Sequence, residues 1–443
     1  MRMHPAAALL ASLLCWASAA AAQPPQTQAQ AQSEDPAYDT QVPAPLSRAG
    51  RQLVAGQNAF AVDLYRTVRQ DPGNLLLSPA SISNALALAY RGAAGTTAEE
   101  MRRVMHFPGG PLDAAPSGEV ARTLALSAPG RELHSANALF VRGGLPLNQA
   151  YVDDMELYYG AGLKFVDFAA DPDSARRRIN AWVEERTADR IRGLLGPRDV
   201  TKLTAAVLVN ALYLKAAWAA PFQAKATRPG PFTRLDGRKV EVPLMHQRAR
   251  FRTLSIGPVQ GIALPYRGGE LEMIVLLPGG HGDLPRLEGA LTAESLEKWA
   301  DRLAQAPELD TILTLPRFRL EWRQDLVAPL QGLGLRLTTS DDADFTGMKR
   351  VDALSGDPRD WPVKIKRVIH KSFLEADEKG SEAAAATAVV MDVVITGTVM
   401  RKPVPPVVFN ADRSFLLAIR DRRTGAILFL GRLTDPSPPP PAG

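Results

Sequence analysis

The sequence predicts an α+β domain with largely antiparallel sheets, on three observations. Helical apolar spacing crowds the first part of the chain, and short β-branched or apolar runs bounded by Gly, Pro or Asp dominate the remainder. No fixed-period repeat, low-complexity break or second linker interrupts residues 48 to 435, so one compact unit is expected there.

The elements follow in order. Arg51 to Gln70 sets Leu53, Phe60, Val62 and Leu64 at near-helical spacing. Ser81 to Tyr90 is a helix of small residues, suited to close packing. Thr97-Ala98-Glu99-Glu100 opens a third helix in the manner of a capping box. Ala175 to Leu195 reads as one amphipathic helix with Ile179, Trp182, Val183, Ile191 and Leu194 on one side. After that the period shortens. Ala205 to Leu214, Glu270 to Leu277, Thr311 to Leu320, Val363 to Ala376 and Ser414 to Leu430 read as strands.

The ends differ from this unit. Arg2 and His4 precede an apolar run from Ala6 to Ala22 that closes in Ala-x-Ala spacing before Gln23, the pattern of a cleaved secretory signal over residues 1–22. The run falls short of the roughly 20 residues a spanning helix needs, so no membrane span is expected and the product is secreted or periplasmic. Cys15, the only cysteine, lies inside this leader, which leaves the mature chain without disulfides or thiol chemistry. Residues 23–47 form a Gln-, Ala- and Pro-rich flexible tether, and 436–443 a Pro-rich tail.

Composition excludes several functions. A net charge of +5 is small against 52 basic and 47 acidic side chains, so no nucleic-acid partner is expected. Arg176-Arg177-Arg178 reads as a solvated helix face with Glu184 and Glu185 nearby, a polyanion site being the alternative. There is no G-x-S-x-G elbow, H-E-x-x-H helix, phosphate-binding glycine loop or cysteine nucleophile, and the six histidines lack ligand spacing. Neither an enzyme, a cofactor nor a metal is expected.

One segment has divided preference. Glu378-Lys379-Gly380-Ser381-Glu382 leads into Ala383, Ala384, Ala385 and Ala386, then Thr387 and the β-branched run to Val394 and Ile395. Alanine favours helix, Val favours strand, and Gly380 supplies a hinge. In strand geometry Ser381, Ala383, Ala385, Thr387, Val389 and Met391 share one uncharged face, while Glu382 and Asp392 lie on the other, where water can hydrate them. A segment of this kind can lie in a loop at one moment and in a sheet at another.

The chain resembles the serpins over essentially the whole unit. Asn74 to Ser83, Gly92 to Met101, Ile179-Asn180-Ala181-Trp182-Val183, Leu208 to Trp218 with Pro221-Phe222, Leu264-Pro265-Tyr266 and Met273 to Pro278 occur in family order. Leu315 to Phe318, Asp344 to Met348, His370 to Glu375 and Phe409 to Phe415 continue it. The resemblance implies three sheets, a helical cap and an exposed reactive loop over about 378–408. It implies a suicide-substrate inhibitor: a serine protease, or a cysteine protease, cuts the loop, and the acyl-enzyme is trapped as the loop inserts into the main sheet.

Glu378, Gly380, Ser381, Ala383 to Ala386 and Thr387 are then the hinge. Asn210, Trp218 and His370 are structural support, with His370 and Lys371 either a conformational latch or strand-end residues. Family spacing places the cut between Val394 and Ile395, which suits an elastase-like target. The stretch on to Phe409 exceeds the usual family length, which leaves the bonds between Val393 and Gly397, and the Arg401-Lys402 pair, as alternatives. Fourteen residues from Ser381 to Val394 would extend roughly 46 Å. The unit is expected to act as a monomer. A non-inhibitory serpin serving as a binding protein is the competing function; it would favour bulky, charged or Pro residues at the inward positions, and none occurs.

Overall fold

A computed structural model describes residues 45–108, 114–125, 131–159, 162–350, 363–381 and 404–437, all within one unit running from Ala44 to Gly443. The stretches read as leader and tail, apart from 436–437, and the segment from Glu382 to residue 403 lie outside the described residues. The described residues begin inside the stretch read as tether: Leu46 is buried and the Ser47 hydroxyl accepts from Gly50 N–H to cap the first helix.

That helix, α1 (Arg48–Val68), buries Leu53, Phe60 and Leu64 and leads into strand β1 (Leu75–Leu77). Helix α2 (Pro79–Tyr90) starts on Pro79, whose missing N–H costs nothing in a first turn, and its small residues let it be buried nearly all round. Helix α3 (Gly95–Val104) starts two residues before the expected capping box. Thr97 does not cap it; its hydroxyl accepts from Asp344 N–H, 2.9 Å away, and pins a distant turn.

Next come α4 (Ala114–Ala125), β2 (Arg131–Arg142), α5 (Gln149–Tyr159), β3 (Leu163–Val166) and α6 (Pro172–Arg186). Helix α6 is N-capped by Asp171 and ends nine residues earlier than its periodicity predicts, at Arg186 rather than Leu195. Ala188 and Asp189 adopt positive φ (48° and 60°), which breaks the helix, yet Ile191 and Leu194 are still buried beyond it.

Then follow β4 (Ala206–Ala217), β5 (Arg228–Thr233), β6 (Lys239–Ile256), β7 (Val259–Pro265), β8 (Leu271–Leu277), α7 (Leu284–Gly289) and α8 (Ala293–Gln305). The remaining elements are β9 (Glu308–Pro316), β10 (Phe318–Asp325), α9 (Val327–Gly332), β11 (Val368–Ala376), β12 (Gly380–Ser381), β13 (Val407–Asn410), β14 (Phe415–Asp421) and β15 (Ile427–Leu433). Two expected strands are pairs. The run from Thr311 to Leu320 breaks at Arg317 and feeds two different sheets, and the run from Ser414 to Leu430 folds back into a hairpin through Gly425 at φ 76°. The run from Val363 joins a ladder only at Val368.

One sheet has the order β1-β15-β14-β8-β7-β6-β9-β13 with β5 also on β6; the other runs β10-β11-β4-β2-β3 with β12 on β4. Hydrogen bonding therefore gives two sheets among the described residues, not three, because β6 runs unbroken for 18 residues and pairs with β5, β7 and β9 in turn. Most pairs are antiparallel, while β2/β3, β4/β11 and β9/β13 are parallel. Strands β1, β2 and β3 sit among the early helices, so the segregation read from the sequence is incomplete.

The last strands, β14 and β15, lie inside the larger sheet, between β1 and β8. Asn74 stitches them to the start of the domain: its side-chain oxygen accepts from Thr434 and Asp435 N–H at 2.7 and 3.0 Å. The main core fills the space around α1, α2 and the larger sheet. A second cluster, with Ile179 and Val183 over Val209, Tyr213, Ile369 and Phe373, seats α6 on the outer face of the smaller sheet.

Candidate functional site

Strands β4 and β11 run parallel in register from Leu208↔Val368 to Tyr213↔Phe373. Beyond Tyr213 the pairing stops, and the top of β4 faces a different neighbour. The chain leaves β11, turns at Asp377–Lys379 and descends as β12, with Gly380 opposite Ala217 and Ser381 opposite Ala216. Asp377 shapes the turn: its N–H donates to Gly380 O at 2.9 Å, and its carboxylate accepts from Lys379 and Gly380 N–H at 2.8 and 3.1 Å.

Gly380 is required there. It sits at φ 152°, and an added Cβ would lie 2.1 Å from Ala216 O and 2.6 Å from Ala217 Cα, both backbone atoms. Ser381 is fully buried and its hydroxyl meets Tyr266 Oη at 2.7 Å, so it faces inward as the alternation requires. Tyr266 in turn stacks on Trp218 with centroids 4.6 Å apart and planes at 10°. Burial pushes the Tyr266 hydroxyl well above its ordinary pKa, so it stays a neutral donor and acceptor. The Trp218 indole N–H donates to Asp377 O at 2.9 Å and its backbone N–H to Lys379 O at 2.9 Å.

Glu378 fixes the outer side of the turn. Its Oε1 accepts from Thr227 Oγ1 at 2.6 Å and pairs with the Arg317 guanidinium at 2.5 Å, while its carbonyl accepts from Phe222 N–H. Burial alone would push the Glu378 carboxyl up; the hydrogen bonds from Thr227 and Arg317 together hold it below its ordinary value.

Lower down, a polar network crosses three strands at the middle of the β4/β11 ladder. His370 and Asn210 are register partners, as are Asn210 and Asn137. His370 is fully buried; Nε2 accepts from Ser78 N–H at 3.2 Å and Nδ1 faces Asn210 Oδ1, which places the ring proton on Nδ1. Asn210 Nδ2 donates to Ser81 Oγ at 2.6 Å and Asn137 Oδ1 at 2.7 Å. Burial lowers the His370 pKa to about 3, so the ring is neutral at physiological pH. Nearby, Ser372 Oγ donates to Leu76 O at 2.7 Å.

The structure therefore brings together Glu378, Gly380, Ser381 and Trp218 at the top of the slot, and Asn210 with His370 below it. Asn210 and His370 are mid-ladder residues, not strand ends. Of the stretch expected as reactive loop, Gly380 and Ser381 pair with β4, the carbonyls of Glu378 and Lys379 accept from Phe222 and Trp218 N–H just beyond it, and 407–408 belong to β13, which pairs with β9. Only Lys379 of the first four is exposed. Ala383 to Ala386, Thr387, Val394 and Ile395 lie outside the described residues. Sequence reading assigned no role to Thr227, Arg317, Tyr266, Ser78, Ser81 or Asn137. Among the described residues no cluster of three or more His, Cys, Asp or Glu side chains is arranged to hold a metal, and no helix is long and apolar enough to cross a membrane.

Chemically this is a seam closed by the β4/β11 ladder, with a two-residue strand seated on β4 above it. Residues 55–436 match the family model described as serpin (serine protease inhibitor). Leukocyte elastase inhibitor of Bos taurus is 37% identical over 394 residues, covering 87% of this chain and 100% of the relative. An uncharacterized serpin-like protein of Thermococcus kodakarensis is 37% identical over 387 residues, 87% of this chain and 86% of the relative. Among solved structures, human thyroxine-binding globulin in complex with thyroxine superposes with a TM-score of 0.76 at 28% identity, covering 88% of this chain and 100% of that one.

Proposed function

The chain belongs to the serpin family, and from that premise we propose that it is an exported, monomeric suicide-substrate inhibitor of serine proteases. The observation that supports this reading is β12: Gly380 and Ser381 pair antiparallel with the end of β4, as the first two residues of an inserting strand would. A segment that continues downward from Ser381 meets the β4/β11 seam.

In the proposed sequence a protease seryl Oγ bonds to the carbonyl carbon of Val394. The Val394–Ile395 C–N bond breaks, and Ile395 leaves as an amine carrying the proton. Freed at that end, residues 382–394 follow Ser381 into the slot. Six register pairs between β4 and β11 must part, and the His370–Asn210 contact with them. The new strand then pairs on both sides, so backbone bonds are regained while small inward side chains resist little. The protease is carried along with Val394 before water can hydrolyse the ester. A small aliphatic residue at the cut favours an elastase-like target; leukocyte elastase inhibitor, at 37% identity, supports that preference.

The likeness to thyroxine-binding globulin supports the alternative, a binding protein. Against that alternative stands the hinge, where Gly380 and inward-facing Ser381 preserve an insertion path. Incubation with an elastase, a trypsin and a subtilisin, followed by denaturing electrophoresis and mass mapping, tests the proposal. The expected result is a covalent elastase complex, release of the peptide starting at Ile395, and a cleaved form that melts well above the intact one. A cleaved form melting no higher, with no covalent complex, would establish the binding-protein reading instead.

A further inference from the structure

A cavity of about 270 Å³ lies between β2 and the two helices on its inner face, α2 and α4. Its wall comes from that one side of the sheet. Asn137 bonds Ser81 of α2 and so faces inward, and Leu133 and Ser135 share its face by alternation, whereas Ala136, Ala138 and Phe140 turn toward α6. Leu212, opposite Ser135 on β4, also points inward. Leu88, Leu124 and Leu428 complete an apolar floor. The space stays open because the helices meet it with the small residues Ala80 and Ala121. At its mouth the edge of β2 is bare: β3 pairs with β2 only from Leu139 onward, and no strand flanks residues 131–138 on that side among the described residues. Ser135 points inward and is nonetheless exposed, so water reaches the cavity. Trp182 and Arg186 belong to α6, across the sheet, and only bound the mouth round that bare edge.

The wall offers hydrogen-bonding groups that nothing else uses. Asn84 accepts from Gln57 Nε2 at 3.4 Å, and its own amide hydrogens have no acceptor among the described residues; Ser135 Oγ is likewise without a partner there. Both groups are neutral. Tyr159 shares the wall, and burial pushes its hydroxyl up to about 12, so it adds no charge. A carboxylate among these residues would be buried without a counter-ion, which disfavours an acid, and Arg186 stands exposed outside the wall. An apolar cavity of about 150 Å³ takes benzene, so this one has room for roughly seven to ten carbon atoms.

We propose that this cavity binds a small neutral alcohol or phenol with an apolar body of that size. The body would cover Leu88, Leu124 and Leu212, and the hydroxyl would bond Asn84 and Ser135. The site is independent of whether the chain inhibits a protease. Titration calorimetry on the full chain tests it with 4-ethylphenol, ethylbenzene and 4-ethylbenzoate. The expected result is one saturable site for 4-ethylphenol, with the hydrocarbon and the acid each bound at least about threefold more weakly. Ser135→Ala should weaken 4-ethylphenol by about three- to tenfold, the worth of one hydrogen bond, and leave ethylbenzene unchanged. Ala121→Leu fills the space and should abolish binding of both without lowering the melting temperature. No saturable heat at millimolar ligand, ethylbenzene bound as tightly as 4-ethylphenol, or unchanged affinity in both variants would overturn the proposal. So would an acid bound as tightly as the phenol, since that would move the site outward to Arg186. The three-ligand comparison on the wild type needs no variant to fold.

Discussion

Acidification should weaken the closed sheet through His370, and the size of the effect can be worked from its surroundings. The buried ring is neutral and has a folded-state pKa of about 3, against about 6.5 when unfolded. Below pH 6.5 the unfolded chain binds a proton that the folded chain refuses, so stability is full above that value and is lost progressively as pH falls toward 3. Between pH 7.5 and 5 the loss from this one group is about 2 kcal/mol. Replacement by glutamine removes the titration but not the polarity. His370→Gln lowers the melting temperature at every pH, because Ser78 N–H and Asn210 lose a fitted partner. The decisive quantity is the gap between wild type and variant. It should narrow by about 2 °C from pH 7.5 to pH 5, given the entropy of unfolding expected for a domain near 390 residues. Differential scanning at matched ionic strength measures it. A gap that stays constant across that range would refute the assignment of a buried, neutral His370 as the acid-sensitive group.

Three further outcomes follow from the hinge. Gly380→Ala places a Cβ against Ala216 O and Ala217 Cα, so β12 should detach with its backbone pairing and the Ser381–Tyr266 bond. The cost is about 2–3 kcal/mol, and protease incubation should give mostly cleaved inhibitor and little covalent complex; an unchanged ratio would count against the foothold. Glu378→Gln should lower stability by about 1–2 kcal/mol near pH 7. Because the Glu378 carboxyl titrates below its ordinary value, the deficit should shrink as pH falls from 5 through the folded pKa, as urea unfolding of both proteins would register. Thr387→Arg, which puts a cation on the inward face, should convert inhibitor into substrate; a stable complex with the same protease would show that the loop does not insert in the expected alternation.

Much of the scaffold was readable because its signals are local. Helices α1 and α2 and strands β4 and β8 carry continuous apolar patterns, and the Glu378–Gly380–Ser381 hinge is marked by a glycine between polar residues. The overrun of α6 came from Ile191 and Leu194, which keep helical spacing although the chain reverses at Ala188 and Asp189, residues that carry no breaker signature. Arg317 illustrates the other kind of failure. It looks like one more polar residue in a strand run, yet it separates β9 from β10 and supplies the charge opposite Glu378 across 61 positions of sequence. Tyr266, 115 positions from Ser381, was equally silent, since nothing local marks a tyrosine as a hinge partner. The proposed scissile bond falls within residues 382–403 and was placed by family spacing.

The position of β14 and β15 carries a consequence for how the chain is made. They are made long after β1, yet they lie between β1 and β8 in the larger sheet. At about 5–20 residues per second, β1 waits roughly 20–70 s for its partner. Until then its backbone carbonyls and amides lack the ladder that β15 supplies. Gly431 admits no side chain at this junction, since a Cβ would meet Leu75 O at 2.4 Å, so the late strand has to arrive as it is, without substitutes. A nascent chain that stops before Ile427 would still carry residues 378–403 and yet fail, because it lacks the strand that ends the wait.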